Sequence, residues 1–236
     1  MQSSRLDPNV PGERDHAPGK APPVEAMAGD SARNSGERRH AILAVAERHF
    51  LEHGFARTSM SDIRAEIGGS KSTLWNYFCS KEDLFAAVMS EAMDRTIKDI
   101  ILMAKDHGDA RTSLEIFCRK YIETITSREA IALHRLAINE SYRFPDFNRT
   151  LYRDSVEAVW QSIADFLIRI FPRNEEIAKD PMAAAELLAS LCHGRSFLRC
   201  IYEVGDRPDG NAIRQDCEIA VTTFLRLFGV DDTGNP

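Results

Sequence analysis

Between Ser59 and Phe78 the chain offers two helical segments, each too short to stand alone in water, separated by a glycine pair. Ser59-Met60-Ser61-Asp62 reads as a capping box, in which a hydroxyl and a carboxylate three residues apart satisfy the free N–H groups of a helix start. Ile63 and Ile67 follow at helical spacing, and Gly68-Gly69 stops the run and permits a sharp turn. Ser70 can cap a second short helix over 71–78, and Ser80-Lys81-Glu82-Asp83 is a further capping box, opening a helix that can run to about 105. Upstream, a helix over about 36–53 places Ile42, Val45, Ala46, His49 and Phe50 on one face, with Gly54 where a C-terminal left-handed residue belongs. Ile63, Ile67 and Leu74 can pack the short helices together, and Phe50, Phe55, Phe78 and Leu84 can close a small core around them. Such a unit is a three-helix module with a helix-turn-helix, whose second short helix enters a DNA major groove in many proteins. Lys71, Ser72, Thr73, Trp75, Asn76 and Tyr77 are left mostly outward.

At these residues a family resemblance is evident. Thr58 to Ile63 resembles the T-[TS]-x-x-D-I start of the TetR-family DNA-binding domain, and Lys71 to Phe78 resembles its K-x-T-[LI]-Y-x-[HY]-F recognition helix. Ser80 to Phe85 matches the S-K-E-x-L-[FL] that follows, so that residues 38–89 look like that domain throughout. Two departures stand out: Ile67-Gly68-Gly69 replaces the usual Ala-Gly-Val turn, and Trp75 replaces the usual tyrosine. The resemblance implies base-edge or nearby phosphate contacts for Lys71, Ser72, Thr73 and Asn76. It implies phosphate contacts for Trp75, Tyr77 and Lys81, with Ser59 or Ser61 adding one at a helix N-terminus. The bland alternatives stand beside these roles: Ser59 and Ser80 are caps first, Trp75 reads equally as a packed aromatic, and Lys81 as a solvated charge.

Net charge argues weakly here. The whole chain carries −6, yet residues 36–85 hold seven basic and seven acidic residues, and most of the acidity lies beyond residue 86. A neutral module contacts phosphate only if its cations share a face. Residues 1–35 hold five of the ten prolines and no aromatic residue, and are expected to be a disordered tail. The fold class is therefore all-α, about nine helices: the tail, a helix-turn-helix domain over 36–85, and a larger helical domain over 86–236 for ligand binding and dimerisation. Its helices are expected near 109–126, 128–142, 145–171, 181–204 and 209–228, punctuated by Gly108, Pro145, Pro172, Pro181, Gly205 and Pro208.

In the last of these, Ile213, Cys217, Ala220, Val221, Phe224 and Phe228 form an apolar stripe; before it come Leu187, Leu188, Leu191, Leu198 and Ile201 among small residues. Two such helices per subunit suit a four-helix dimer interface, as the resemblance also implies, and operator reading by this module uses two half-sites. Asn139 to Phe147 is similar to the E-x-x-R-F-P-[DE] element of AcrR/AefR-like members, which implies a small apolar effector. Candidate lining residues are Met89, Met93, Ile97, Phe117, Tyr121, His134, Ile138, Trp160 and Phe166, for each of which plain core is the competing assignment. No catalytic or metal motif occurs, so no enzyme, cofactor or metal is expected; Cys192-His193 cannot share one ligand because adjacent helix positions diverge by ~100°. Five cysteines without C-x-x-C spacing suit reduced thiols in a cytoplasm, and no apolar run is long enough for a membrane span. The resulting reading is a homodimeric repressor released from double-stranded operator DNA by an effector. A ligand-independent regulator or activator, or a binding module with a vestigial helix-turn-helix, remains open at this stage.

Overall fold

The computed structural model describes residues 24–68 and 71–229, and these are helices joined by short turns, with no strand. Packing divides the chain into Met1–Arg39 and His40–Pro236. Of the first unit only residues from 24 on are described, and they are helical: α1 spans Val24–Arg57. The helix thus begins well before the expected start near 36. Residues 24–35 lack proline and carry helix formers such as Glu25, Ala26, Ala28 and Ala32, so the helix propagates back to the Pro22-Pro23 pair. The part of the expected disordered tail over 1–23 lies outside the described residues, as do Gly69 and Ser70.

In the second unit α1 continues to Gly54, whose φ of 74° breaks the helical run. A last turn follows to Arg57, tied by Thr58, whose N–H and hydroxyl both donate to Gly54 O. Helices α2 (Met60–Ile67), α3 (Lys71–Tyr77) and α4 (Lys81–Met103) come next. Beyond them lie α5 (Ala110–Ile125), α6 (Arg128–Glu140), α7 (Pro145–Leu151), a π-turn (Tyr152–Val156), α8 (Glu157–Ile170), α9 (Glu175–Lys179), α10 (Pro181–Ile201) and α11 (Gly210–Leu227). The short α9 was not foreseen; Asn174 caps it, accepting from Ile177 N at 3.0 Å while its amide donates to Phe228 O at 2.9 Å.

Two apolar cores result. The first gathers Ile42, Phe50, Phe55, Ile63, Leu74, Phe78, Leu84 and Phe85 under the helix-turn-helix. It does not close at residue 85: Val88, Met89 and Ala92 of α4, Leu133 and Leu136 of α6, and the half-buried Phe144 and Phe147 all join it. The second joins α5, α8, α10 and α11 around Leu114, Phe117, Ile163, Phe166, Leu188 and Phe224. The π-turn serves both. Its extra residue re-phases the helix, so Phe147 and Leu151 before it face the first core and Val159, Ile163 and Phe166 after it face the second. The α11 stripe of Cys217, Ala220, Val221 and Phe224 is buried within this single chain, so these residues are core and not a subunit face. What α10 and α11 leave at the surface is Leu198, Ile219 and Leu227, with Tyr202 just past the end of α10.

Helix α10 is broken in its middle. Gly194 has φ 40° and ψ −153°, and a new helical start follows it. The freed N–H of Ser196 is taken by the buried Asp216 of α11, whose Oδ2 accepts at 3.0 Å. Five positive-φ glycines besides Gly194 also end or turn segments, but only here does the turn fall inside a packed helix pair.

Candidate nucleic-acid interface

Helix α3 lies between two capped neighbours, and one of its sides is anchored. Ser59 caps α2, its Oγ accepting from Asp62 N at 3.1 Å, and Gly68 closes it, its N–H donating to Arg64 O at 3.2 Å with φ 67°. Ser80 caps α4 in the same way, accepting from Asp83 N at 3.0 Å. Between them α3 buries Leu74 and Phe78 and half-buries Tyr77, while Trp75, at 44% exposure, and Asn76 face solvent. Ser61 is exposed and Ser59 half-buried at the start of α2. Lys71, Ser72 and Thr73 lie in the first turn of α3. An aromatic and an amide therefore stand side by side on a helix whose reverse side is locked into a phenylalanine core.

That core sets the helix's aim. Phe55 stacks on Phe50 at 5.9 Å and meets Phe85 and Phe144 edge-on at 5.1 and 5.0 Å. Lys81 is not a free charge. Its ammonium donates to Phe55 O and Thr58 O, both at 2.9 Å, and sits 4.2 Å from the Phe55 ring centroid. It thereby fastens the start of α4 to the end of α1, so the reading of Lys81 as a solvated charge is wrong, and any phosphate contact would use its one remaining N–H. Sequence reasoning also missed a clamp between α1 and α2: Arg48 and His49 both bind Glu66, His49 Nε2 at 2.8 Å. The His49 hydrogen bond holds the Glu66 carboxyl below its usual range; burial opposes it as the next largest effect, and the Arg48 and His49 charges restore the lowering. The signal was present as adjacent bases on α1 facing an acid on α2. With Glu47 bound to Arg95 at 2.6 Å, these pairs hold the three helices against one another.

The nine residues expected to line an effector site do not form one surface. Met89 is fully buried in the first core and Met93 packs beside it. Ile138 is exposed: it shares the face of Ile131, which is buried two turns earlier, but near the end of α6 that face opens to solvent. Ile97, Phe117, Tyr121, Trp160 and Phe166 belong to the second core. There Phe117 contacts Tyr121 at 5.7 Å and Phe166 at 5.0 Å, and Tyr121 contacts His193 at 6.1 Å. Phe197 lies between His193 and His134, at 4.7 and 5.3 Å. Each histidine donates from Nδ1 to a carbonyl one turn back, His134 to Ala130 O and His193 to Ala189 O, both at 2.8 Å, which leaves each Nε2 as an acceptor. Burial, and then the nearby His134, lowers the His193 pKa against the pull of that carbonyl. Tyr121 is almost wholly buried, which raises its pKa, and its hydroxyl bonds to no described residue.

Three thiols share this interior. The neighbouring Cys192 thiol, and then burial, raise the Cys118 pKa. Burial pushes Cys217 up to about 12, and its Sγ donates to Glu115 O at 3.4 Å. They behave as small apolar groups. Among the described residues no three His, Cys, Asp or Glu are grouped to hold a metal ion, and no helix is long and apolar enough to cross a membrane.

One further geometry concerns α6. Its Ala132, Arg135, Leu136 and Asn139 face a groove whose other wall is the end of α1, including Phe50, His53 and Arg57. Arg135 also reaches the end of α10, donating to Ile201 O at 3.0 Å and Cys200 O at 2.6 Å and pairing with Glu203.

Comparison with known proteins agrees with this architecture. Residues 42–88 match the model of the bacterial regulatory proteins of the tetR family, and residues 112–230 match that of the AefR-like transcriptional repressor C-terminal domain. An uncharacterised HTH-type transcriptional regulator of Mycobacterium tuberculosis is 30% identical over 139 residues, which are 58% of this chain and 54% of that protein. The chain thus aligns with only about half the length of that curated relative. Among solved structures, the flavonoid-responsive regulator FrrA is 33% identical with a TM-score of 0.63, over 81% of this chain and 97% of that one. A TetR-family regulator from Mesorhizobium loti superposes with a TM-score of 0.70 at 22% identity, over 82% of this chain and 97% of that one, and shares the fold. With a matched DNA-binding half, a matched C-terminal half and a relative aligned along nearly its whole length, the chain belongs to the TetR family of bacterial transcriptional regulators.

Proposed function

We propose that the protein is a homodimeric repressor that holds two copies of α3 about one DNA turn (~34 Å) apart on a roughly palindromic operator. The observation that carries this is the exposed Trp75-Asn76 step on a helix anchored from behind by Leu74 and Phe78. Asn76, with Lys71, Ser72 and Thr73, reads base edges; Trp75, Tyr77, Ser59 and Ser61 position the duplex through phosphate, and Lys81 adds its third N–H. Leu198 of α10 and Tyr202 just past its end, with Ile219 and Leu227 of α11, each more than half exposed, supply the apolar face for a second copy. Such a protein works in the cytoplasm, where its operator is.

The effector enters the second core. Its wall of Phe117, Phe166 and Phe197, with Ile97 and Trp160 beside it, suits a planar apolar molecule. The Tyr121 hydroxyl and the Nε2 acceptors of His134 and His193 suit hydroxyl groups on its rim. FrrA, by its name a flavonoid-responsive regulator, supports a hydroxylated aromatic. Binding favours a conformer with a different α3 spacing, and operator affinity falls by the coupling, typically ~1–3 kcal/mol.

Fluorescence anisotropy on duplexes from the flanks of its own gene tests the reading. Binding is expected to weaken steeply with salt, Trp75→Ala to weaken all sequences alike, and Asn76→Ala to relax preference at one base. Indifference to every duplex at low ionic strength would end it. For the effector arm, a panel of flavonoids should quench Trp160 in a Trp75→Phe background and release the duplex; a panel that does neither removes the effector class and leaves the DNA reading standing.

A further inference from the structure

Beside the turn joining α10 to α11 four arginines meet two carboxylates. A cleft of about 270 Å³ opens between the first half of α6 and this turn. Its charged lining is Arg128, Arg135, Arg199 and Arg207 against Glu203 and Asp206. Arg135 is fully engaged, by Glu203 and by the Ile201 and Cys200 carbonyls, and Arg207 donates to Thr126 O. Arg128 and Arg199 have no hydrogen bond or ion pair with any described residue. Two guanidinium groups thus face one cleft without an ion pair, and with Glu203 engaged by Arg135 only Asp206 of that lining is left to balance them.

The backbone leaves room for one of them. Gly205 has φ +76°, and a Cβ at that position would lie 2.8 Å from Arg199 Nη2, so the guanidinium occupies the space any other side chain would claim. Glu203 is the one non-glycine residue of positive φ among those described, at 54°. Conformations of that kind persist where the surroundings over-determine them, and here Glu203 N donates to Cys200 O, Val204 N donates to Arg199 O, and Arg135 holds the Glu203 carboxylate. Arg128 occupies the first position of α6, after the Ser127 cap, where the helix dipole disfavours a cation and favours an anion beside it.

We propose that this cleft binds a small, multiply charged oxyanion, a phosphate ester or a polycarboxylate. Arg128 and Arg199 grip it as guanidinium forks, and Ile131 and Ala132 provide an apolar wall for the remainder of the molecule. The site is separate from the aromatic interior and does not depend on the effector assigned there.

Thermal-shift titrations of the full chain with sodium pyrophosphate and with sodium citrate, at ionic strength held constant with sodium chloride, test it. A saturable rise in Tm is expected with at least one, and the stronger of the two identifies the ligand class. Arg199→Ala and Arg128→Ala should each move the midpoint at least tenfold to higher concentration. Arg199→Lys keeps the charge but not the fork and should also weaken binding, while Arg173→Ala, in the turn before α9, should not. A rise that never saturates, that chloride reproduces, or that Arg199→Ala leaves unchanged would overturn the proposal. So would an equal loss of duplex affinity in Arg128→Ala and Arg199→Ala with no anion effect, because the arginines would then be DNA-backbone contacts.

Discussion

The helix-turn-helix and the helical body are built with the same devices used at different range. In the helix-turn-helix, Ser59 and Ser80 each cap a helix by accepting from the N–H three residues on, and Gly68 closes α2 onto Arg64. In the body, Asp216 caps a break in α10 from 20 residues away, Asn174 reaches Phe228 across 54, and Arg135 reaches Cys200 across 65. Local devices shape a helix before anything packs; distant ones act only after the chain has folded back. Neither region uses one kind alone, since Lys81 ties the first across 26 residues and Ser127 and Asp209 cap body helices locally, but only the body uses a distant side chain to cap a break inside a helix.

The sharpest break in that contrast is Phe55, which is local in position but contacts Phe144 of the body. Phe55→Ala should cost ~3–5 kcal/mol in urea unfolding. One cooperative transition shifted as a whole would show the two regions fold together, and a separated early transition would show that they do not. Next comes Gly194, whose φ of 40° and ψ of −153° are closed to other residues; Gly194→Ala should cost ~1–3 kcal/mol. Asp216→Leu should cost a similar ~1–3 kcal/mol by orphaning the Ser196 N–H. If Gly194→Ala is neutral, the helix break is not what positions the second half of α10.

Ser59→Ala tests the local arm, with an expected loss of about 1 kcal/mol from the lost cap. The smallest effect is a pH slope. His193 has a lowered pKa in the fold, so its neutral form is favoured there and its contribution is present above the unfolded value near 6.5. That contribution is lost as pH falls through the lower folded value. Tm should therefore drop between pH 7 and pH 5, and His193→Gln should flatten the drop; an identical slope in the variant would assign it to other groups.

Legibility followed the same division. The capping boxes at 59–62 and 80–83, the glycine turn at 68, and the inward Leu74 and Phe78 beside the outward Trp75 all have local causes and could be read directly. Lys81 was half legible: its motif was plain, but its carbonyl partners on α1 lie 23 and 26 residues away and no spacing announces them. In the body, helix limits near 110–125, 128–140 and 210–227 followed from punctuation. Which residues share an interior did not. Ile138 and Met89 looked like candidate lining because periodicity shows that a face is apolar, not which partner it meets. The Gly194 break and the π-turn are one-residue changes of phase that composition conceals.

Along its middle, helix α6 meets three different parts of the molecule. Leu133 and Leu136 are sunk in the core beneath the helix-turn-helix, Ala132 and Arg135 border the end of α1, and the same Arg135 grips the last carbonyls of α10. A molecule that wedged between α6 and α10 would displace Arg135, the one side chain of α6 that both borders the end of α1 and holds the last carbonyls of α10.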